Sequence, residues 1–146
     1  MNFPFVRRSA LESLDGTLQE LKLEYQNFRR RNADTQAAAY RSGRADAALA
    51  FLPVYDNLLR ALEQPCGDEA YVTGIQLTMR SLREVLAGLG VTEIPALGAP
   101  FDPRVHEAMD HIEDPELGEN VVAKVVLTGF YQEDTVLRHA LVVVAN

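Results

Sequence analysis

From Ser9 to Phe51 the chain contains no proline, and its only glycines are Gly16 and Gly43. A helix of roughly 43 residues, on the order of 65 Å long at 1.5 Å per residue, is therefore permitted over 9–51. Leu11, Leu14, Leu18, Leu21, Tyr25 and Phe28 recur along it at alternating steps of three and four. That spacing is the seam of a coiled coil, because it returns apolar side chains to one narrow stripe. A stripe on a lone helix has nothing to bury against, so a second copy of the chain is the expected partner. With Leu11 at position a, Glu24 falls at g and Arg29 at the following e. In a parallel pair these face each other with opposite charge, which favours the parallel arrangement. Past Phe28 the frame lands on Asn32, Thr35, Ala39, Ser42 and Asp46, and the seam fades.

Pro53 predicts a break or kink. After it, Leu52, Tyr55, Leu59 and Leu62 outline a short amphipathic helix that stops before Gln64-Pro65-Cys66-Gly67. Asp68 is placed to cap a further helix whose stripe is Val72, Ile75, Met79, Leu82, Leu86 and Leu89, ended by Gly90. Two short amphipathic helices cannot cover both stripes. Dimerisation would double them into a four-helix bundle, with Leu59, Leu62, Ile75 and Leu82 at the interface.

After Gly90 the pattern turns strand-like. A turn-rich stretch runs from Ile94-Pro95 to Phe101-Asp102-Pro103, and 106–112 suits a short strand or turn. The β-rich runs 121–131 and 135–145 are joined by Gln132-Glu133-Asp134. Gly129 marks a bulge or a close approach. The expected fold is α+β: a tail over 1–8, the coiled-coil helix over 9–51, bundle helices over 52–90 and a small antiparallel β-domain over 91–146.

Composition narrows the function. The net charge of −7 is uneven, +2 over residues 1–50 and −9 over 51–146. An acidic C-terminal two-thirds argues against nucleic acid, which is held by concentrated Lys and Arg. The basic run Arg29-Arg30-Arg31, with Arg41 and Arg44 beyond it, is a solvated helix face or a contact for an acidic protein. No stretch approaches the roughly 20 apolar residues of a membrane span, the start has the wrong order for a signal peptide, and the single Cys66 fits a reducing cytoplasm. Chemistry would have to begin from His106, Glu107, Asp110 and His111, whose spacing matches no zinc motif. Nor is there a glycine-rich phosphate loop or a nucleophile marked by its context. The expectation is a non-enzymatic protein without cofactor or metal, with His106 anchoring the turn after Pro103.

Several segments resemble the GrpE family, the nucleotide exchange factors of DnaK-type heat-shock chaperones. They are Leu23-Glu24-Tyr25-Gln26-Asn27-Phe28-Arg29-Arg30-Arg31, then Phe51-Leu52-Pro53-Val54-Tyr55-Asp56-Asn57-Leu58-Leu59-Arg60-Ala61-Leu62, and Gly74-Ile75-Gln76-Leu77-Thr78. Phe101-Asp102-Pro103 with His106 and Ala108, Gly129-Phe130, and 137–144 follow in the family's order, so the likeness covers roughly 20–146. It implies a cytoplasmic homodimeric co-chaperone whose β-domain and helices grip the chaperone's nucleotide-binding domain and open its cleft, releasing ADP. By motif it implies chaperone contacts at Arg29, Arg60, Phe101, Pro103, Val126 and Val144, and a tightly packed glycine at Gly74 in the dimer interface. Ala38 and Thr135 depart from the family pattern, standing where members carry basic residues, and the family's acidic N-terminal tail is nearly absent. The alternative function is a dimeric scaffold or tether without exchange activity. A metal-dependent enzyme built on His106 and His111 is the more distant rival, and it alone would be stopped by a chelator.

Overall fold

The computed structural model describes the backbone from Pro4 to Asn146 and side chains from Arg8 onward. Residues 1–3 of the expected tail lie outside the described residues. Eight elements follow in order: α1 (Pro4–Glu63), α2 (Glu69–Gly88), β1 (Val91–Glu93), β2 (His106–Ile112), β3 (Val121–Leu127), β4 (Phe130–Gln132), β5 (Thr135–Arg138) and β6 (Ala140–Ala145). Contacts divide the chain into two units, Met1–Ser42 and Gly43–Asn146.

From Pro4 onward the first unit is helix. Its seam residues point to solvent, from 44% exposure at Leu18 to 64% at Leu11. Among the described residues of this unit nothing buries them.

In the second unit α1 continues through Pro53, and the expected break is absent. A helix-interior proline forfeits one backbone hydrogen bond and crowds the carbonyl four residues earlier, at about 3 kcal/mol. Ala48, Leu52 and Tyr55, spaced by four and three, are at most 1% exposed and bracket the proline. Their burial offsets the cost, since each large apolar side chain contributes about 1.5–3 kcal/mol. Pro53 itself lies on the exposed side. The helix boundary expected at 51/52 therefore falls within one continuous element.

Asp68 caps α2 as its position suggested, accepting the N–H groups of Ala70 and Tyr71 at 3.0 and 3.2 Å. Gly90, at φ 75°, takes the left-handed turn that leads out of the helix into β1.

Six strands form two three-stranded sheets, ordered β1-β4-β5 and β2-β6-β3. The wholly antiparallel expectation is corrected at one pairing: β2 runs parallel to β6, with His106 opposite Ala140 and Ile112 opposite Ala145. Each of the two β-rich runs also divides between the sheets. Run 121–131 crosses from one to the other at Thr128-Gly129, and run 135–145 crosses at His139.

The crossings pack together, which explains the glycine. A Cβ on Gly129 would lie 2.5 Å from the Ala140 nitrogen and 2.8 Å from Ile94 Cδ1. The close approach expected at Gly129 is what the structure has. Two cores result. Ala48, Leu52, Tyr55, Met79, Leu86, Val91 and Phe130 join helices to the first sheet, while Ala96, Val122, Ala140, Val142 and Val144 lie under the second.

Candidate functional site

The β-domain is fastened to α1 by an ion pair. Arg138 Nη1 and Nη2 donate to the two carboxylate oxygens of Asp56 at 2.7 and 2.8 Å, and Nε and Nη2 also donate to the Thr128 carbonyl at 3.0 and 2.7 Å. The guanidinium lies 5.5 Å over the Phe130 ring. The forked geometry of arginine suits this twofold contact, and both side chains are less than a fifth exposed. The arrangement fixes Thr128, and with it the end of β3, relative to the helix.

Beside it, Tyr55 stands edge-on to Phe130, ring centroids 5.1 Å apart. Its hydroxyl donates to Glu93 Oε1 at 2.6 Å and accepts from Arg83 Nη2 at 3.0 Å. Arg83 Nε donates to the same Glu93 oxygen at 2.6 Å. Burial, reinforced by the hydrogen bond to the Glu93 carboxylate, pushes the Tyr55 phenol up to about 12. These contacts join α1, α2 and β1.

On this frame the expected contact residues take different positions. Arg60 is exposed on α1 and borders a cleft of about 260 Å³ that also includes Asp56, Leu59, Glu63 and residues 125–128. Val126 opens onto the same cleft and is 45% exposed. Arg60 and Val126 are thus brought together. Phe101 is half-buried on the second core, Pro103 is exposed in the turn after it, and Arg29 is exposed on the helix of the first unit. Val144 differs from the rest. It is only 4% exposed and belongs to the second core, so its side chain offers packing and little accessible surface.

The bundle residues divide similarly. Leu59 and Leu82 are half-buried against the first core, and Leu62 and Ile75 are half-buried too. Apart from its own turn of helix, no described atom lies within 4 Å of where a Cβ on Gly74 would be. Within one chain nothing crowds it. Tyr71, Leu77 and Val85 on α2, and Phe51 and Val54 on α1, are exposed apolar residues that the stripes left out.

Asp102 organises the turn that carries Pro103. Arg104 donates to its carboxylate through the backbone N–H at 3.0 Å and the guanidinium at 2.7 Å, holding that carboxyl down to about 2. His106 Nδ1 accepts the Asp102 N–H at 3.1 Å, so the anchoring role expected of His106 is observed. His111 is exposed, and among the described residues no group of three or more His, Cys, Asp or Glu is placed to hold a metal.

The family model for GrpE matches residues 8–146. The chain belongs to the GrpE family. Protein GrpE of Clostridium beijerinckii is 41% identical over 129 residues, 88% of this chain and 62% of that protein. Protein GrpE of Clostridium acetobutylicum is 38% identical over 136 residues, 93% and 68% of the respective chains, and that of Leuconostoc mesenteroides 33% over 137 residues, 92% and 72%. The chain thus spans less than two thirds of the first of these GrpE proteins. Asp56 and Arg138 both lie in segments that carry the resemblance, yet their pairing across 82 positions leaves no local signature. Tyr55 carried a weak one, a hydroxyl at a core position of the stripe, which calls for a buried polar partner.

Proposed function

We propose that this GrpE-family chain is a homodimeric nucleotide exchange factor that binds the nucleotide-binding domain of a DnaK-type chaperone, opens its cleft and accelerates ADP release. The observation that carries the reading is the β-domain surface of a family member: Pro103 and Val126 stand exposed on a domain whose attachment to the helix is fixed by Asp56 and Arg138.

Such a factor needs no catalytic group. A protein that binds the open cleft more tightly than the closed one shifts the population toward the open state, by about 1.4 kcal/mol for each tenfold preference. Linkage requires the reverse as well: nucleotide bound to the chaperone weakens the factor's hold by the same coupling energy, so incoming ATP ejects it. Pro103 and Val126 supply apolar anchors that need little reorganisation, with Phe101 supporting the turn beneath, while Arg29 and Arg60 steer the encounter. Val144 acts through packing.

In this reading the exposed stripe from Leu11 to Phe28 pairs with a second copy in parallel. The apolar faces of α1 and α2 beyond Phe51, including Gly74 and Ile75, complete a four-helix bundle between protomers. The bare surroundings of Gly74 suit that role, because a neighbouring chain can approach there. Among the described residues no helix is long and apolar enough to cross a membrane, and the reading puts the protein in the cytoplasm beside its chaperone.

The deciding experiment is stopped-flow release of a fluorescent ADP analogue from a DnaK-type chaperone, with and without the protein. Acceleration is expected. Replacing Pro103 and Val126 together by charged residues should leave the dimer folded and abolish it. Unchanged release with wild-type protein at saturation would end the reading.

A further inference from the structure

Pro103 restricts the residue before it to extended backbone, so the Asp102 N–H cannot join a helical turn and needs an acceptor elsewhere. His106 supplies it. Its Nδ1 accepts that N–H at 3.1 Å, while its own backbone N–H donates to the Asp102 carbonyl at 2.8 Å. Its ring lies 6.0 Å from the Phe101 ring, tilted by 39°. Upstream, the Phe101 N–H donates to the Asn120 carbonyl at 2.8 Å. The turn is therefore held at Phe101 by β3's approach and at Asp102 by His106, leaving Pro103 at its exposed crest.

The chemistry of the ring makes this hold costly. A neutral imidazole has one donor and one acceptor nitrogen, so a Nδ1 that accepts leaves the proton on Nε2. His106 is 5% exposed, and its Nε2 finds no partner among the described residues. A buried donor without an acceptor destabilises the fold, because the water it gave up is not replaced. For packing alone an apolar ring would serve better at this position: phenylalanine, though somewhat larger, keeps a ring against Phe101 and strands no polar atom.

We propose that His106 is a positioning residue for chaperone binding: its Nδ1 holds the Phe101–Val105 turn in the conformation that presents Pro103, at the expense of fold stability. The inference rests on the exchange-factor reading and adds to it a residue that touches no partner.

Two substitutions separate the hold from the packing. His106→Phe keeps a planar ring, somewhat larger, removes the stranded donor and loses the acceptor. His106→Asn places an oxygen where Nδ1 was and loses the ring. The expected result is a crossed order. H106F, with a larger ring to accommodate but no stranded donor, melts above H106N yet binds the chaperone's nucleotide-binding domain about tenfold more weakly than wild type, the scale of one hydrogen bond. H106N melts lower yet stays within about threefold of wild-type affinity, a loss of less than 1 kcal/mol. Hydrogen exchange at the Asp102 amide should follow the same split, faster by about tenfold in H106F and near wild type in H106N. Wild-type affinity in H106F, or unchanged Asp102 exchange in that variant, overturns the proposal. Wild-type protein that does not bind the chaperone domain brings down the exchange-factor reading and with it the purpose assigned to His106, whereas the amide measurement still reports the hold itself.

Discussion

Arg138 and Asp56, 82 positions apart in the chain, meet in a two-pronged ion pair at 2.7 and 2.8 Å that joins the strand β5 to the long helix. The pair sits between the first core and the Arg60–Val126 cleft, and Asp56 itself lines that cleft. Its strength bears on function because any looseness here would move Val126 relative to Arg60.

Breaking the pair from one side should be costly. Arg138→Met leaves the Asp56 carboxylate enclosed without its partner, and the expected loss is about 3 kcal/mol, the lower end of the range for buried pairs, since both groups keep some solvent contact. Asp56→Leu combined with Arg138→Met should cost less than the two single changes added together, because no stranded charge remains. Urea unfolding at one fixed protein concentration measures both, the fixed concentration being necessary if chains associate. Strict additivity would contradict the coupling.

Gly129→Ala tests the packing of the two strand crossings. The new methyl would stand 2.5 Å from the Ala140 nitrogen and 2.9 Å from its Cα, both backbone atoms that cannot rotate away. Overpacking of this kind costs about 1–3 kcal/mol, and the fixed backbone at Ala140 points to the upper end even though the Ile94 side chain can move aside. A lowered thermal midpoint is expected. An unchanged one would mean that the sheets can separate locally at no cost.

The Tyr55 phenol gives stability a dependence on alkaline pH. Its folded pKa, about 12, lies above the ordinary value near 10. Between those values the unfolded chain has released this proton while the folded chain retains it, so stability falls as pH rises from 10 to 12. Two pKa units correspond to about 3 kcal/mol at most. About half of that is expected, because the Arg83 and Glu93 side chains that face the hydroxyl are partly in solvent. Tyr55→Phe should lose this increment of the slope, read as the difference between the two proteins' urea midpoints across that interval. Parallel curves would assign the alkaline loss to other groups.

Much of this architecture follows from periods that the side chains display. The 3–4 spacing from Leu11 to Phe28, the Asp68 cap and the Gly90 stop are short-range signals, and the helices sit where those signals place them. Pro53 does not end the helix, because its local cost is outweighed by Leu52 and Tyr55, whose burial depends on strands far along the chain. The parallel β2–β6 pairing was equally hidden, since alternation tells which face a side chain takes and says nothing of strand direction. Val144 illustrates the limit for the site: a motif position was legible, but whether it faces a partner or the core depends on its place beneath the second sheet.

The exposed seam makes the last prediction. Leu18 is the least exposed residue of the stripe at 44%, and Leu11, Leu14, Leu21, Tyr25 and Phe28 are all near 60%. A solvated helix face carrying six large apolar residues at heptad spacing gains about 25 cal/mol for every square ångström it covers, so association of two copies is favoured wherever it can occur. Replacing Leu18 and Leu21 by aspartate puts four like charges into the seam of a pair and removes four apolar contacts from it. Sedimentation equilibrium should then show weakened self-association, and circular dichroism should show less helix, because the described part of α1 before Gly43 has little tertiary packing of its own to hold it. The unit over Gly43–Asn146, which holds both cores, should keep its fold in the same variant. Undiminished self-association would move the interface away from this stripe and onto the exposed faces of α2.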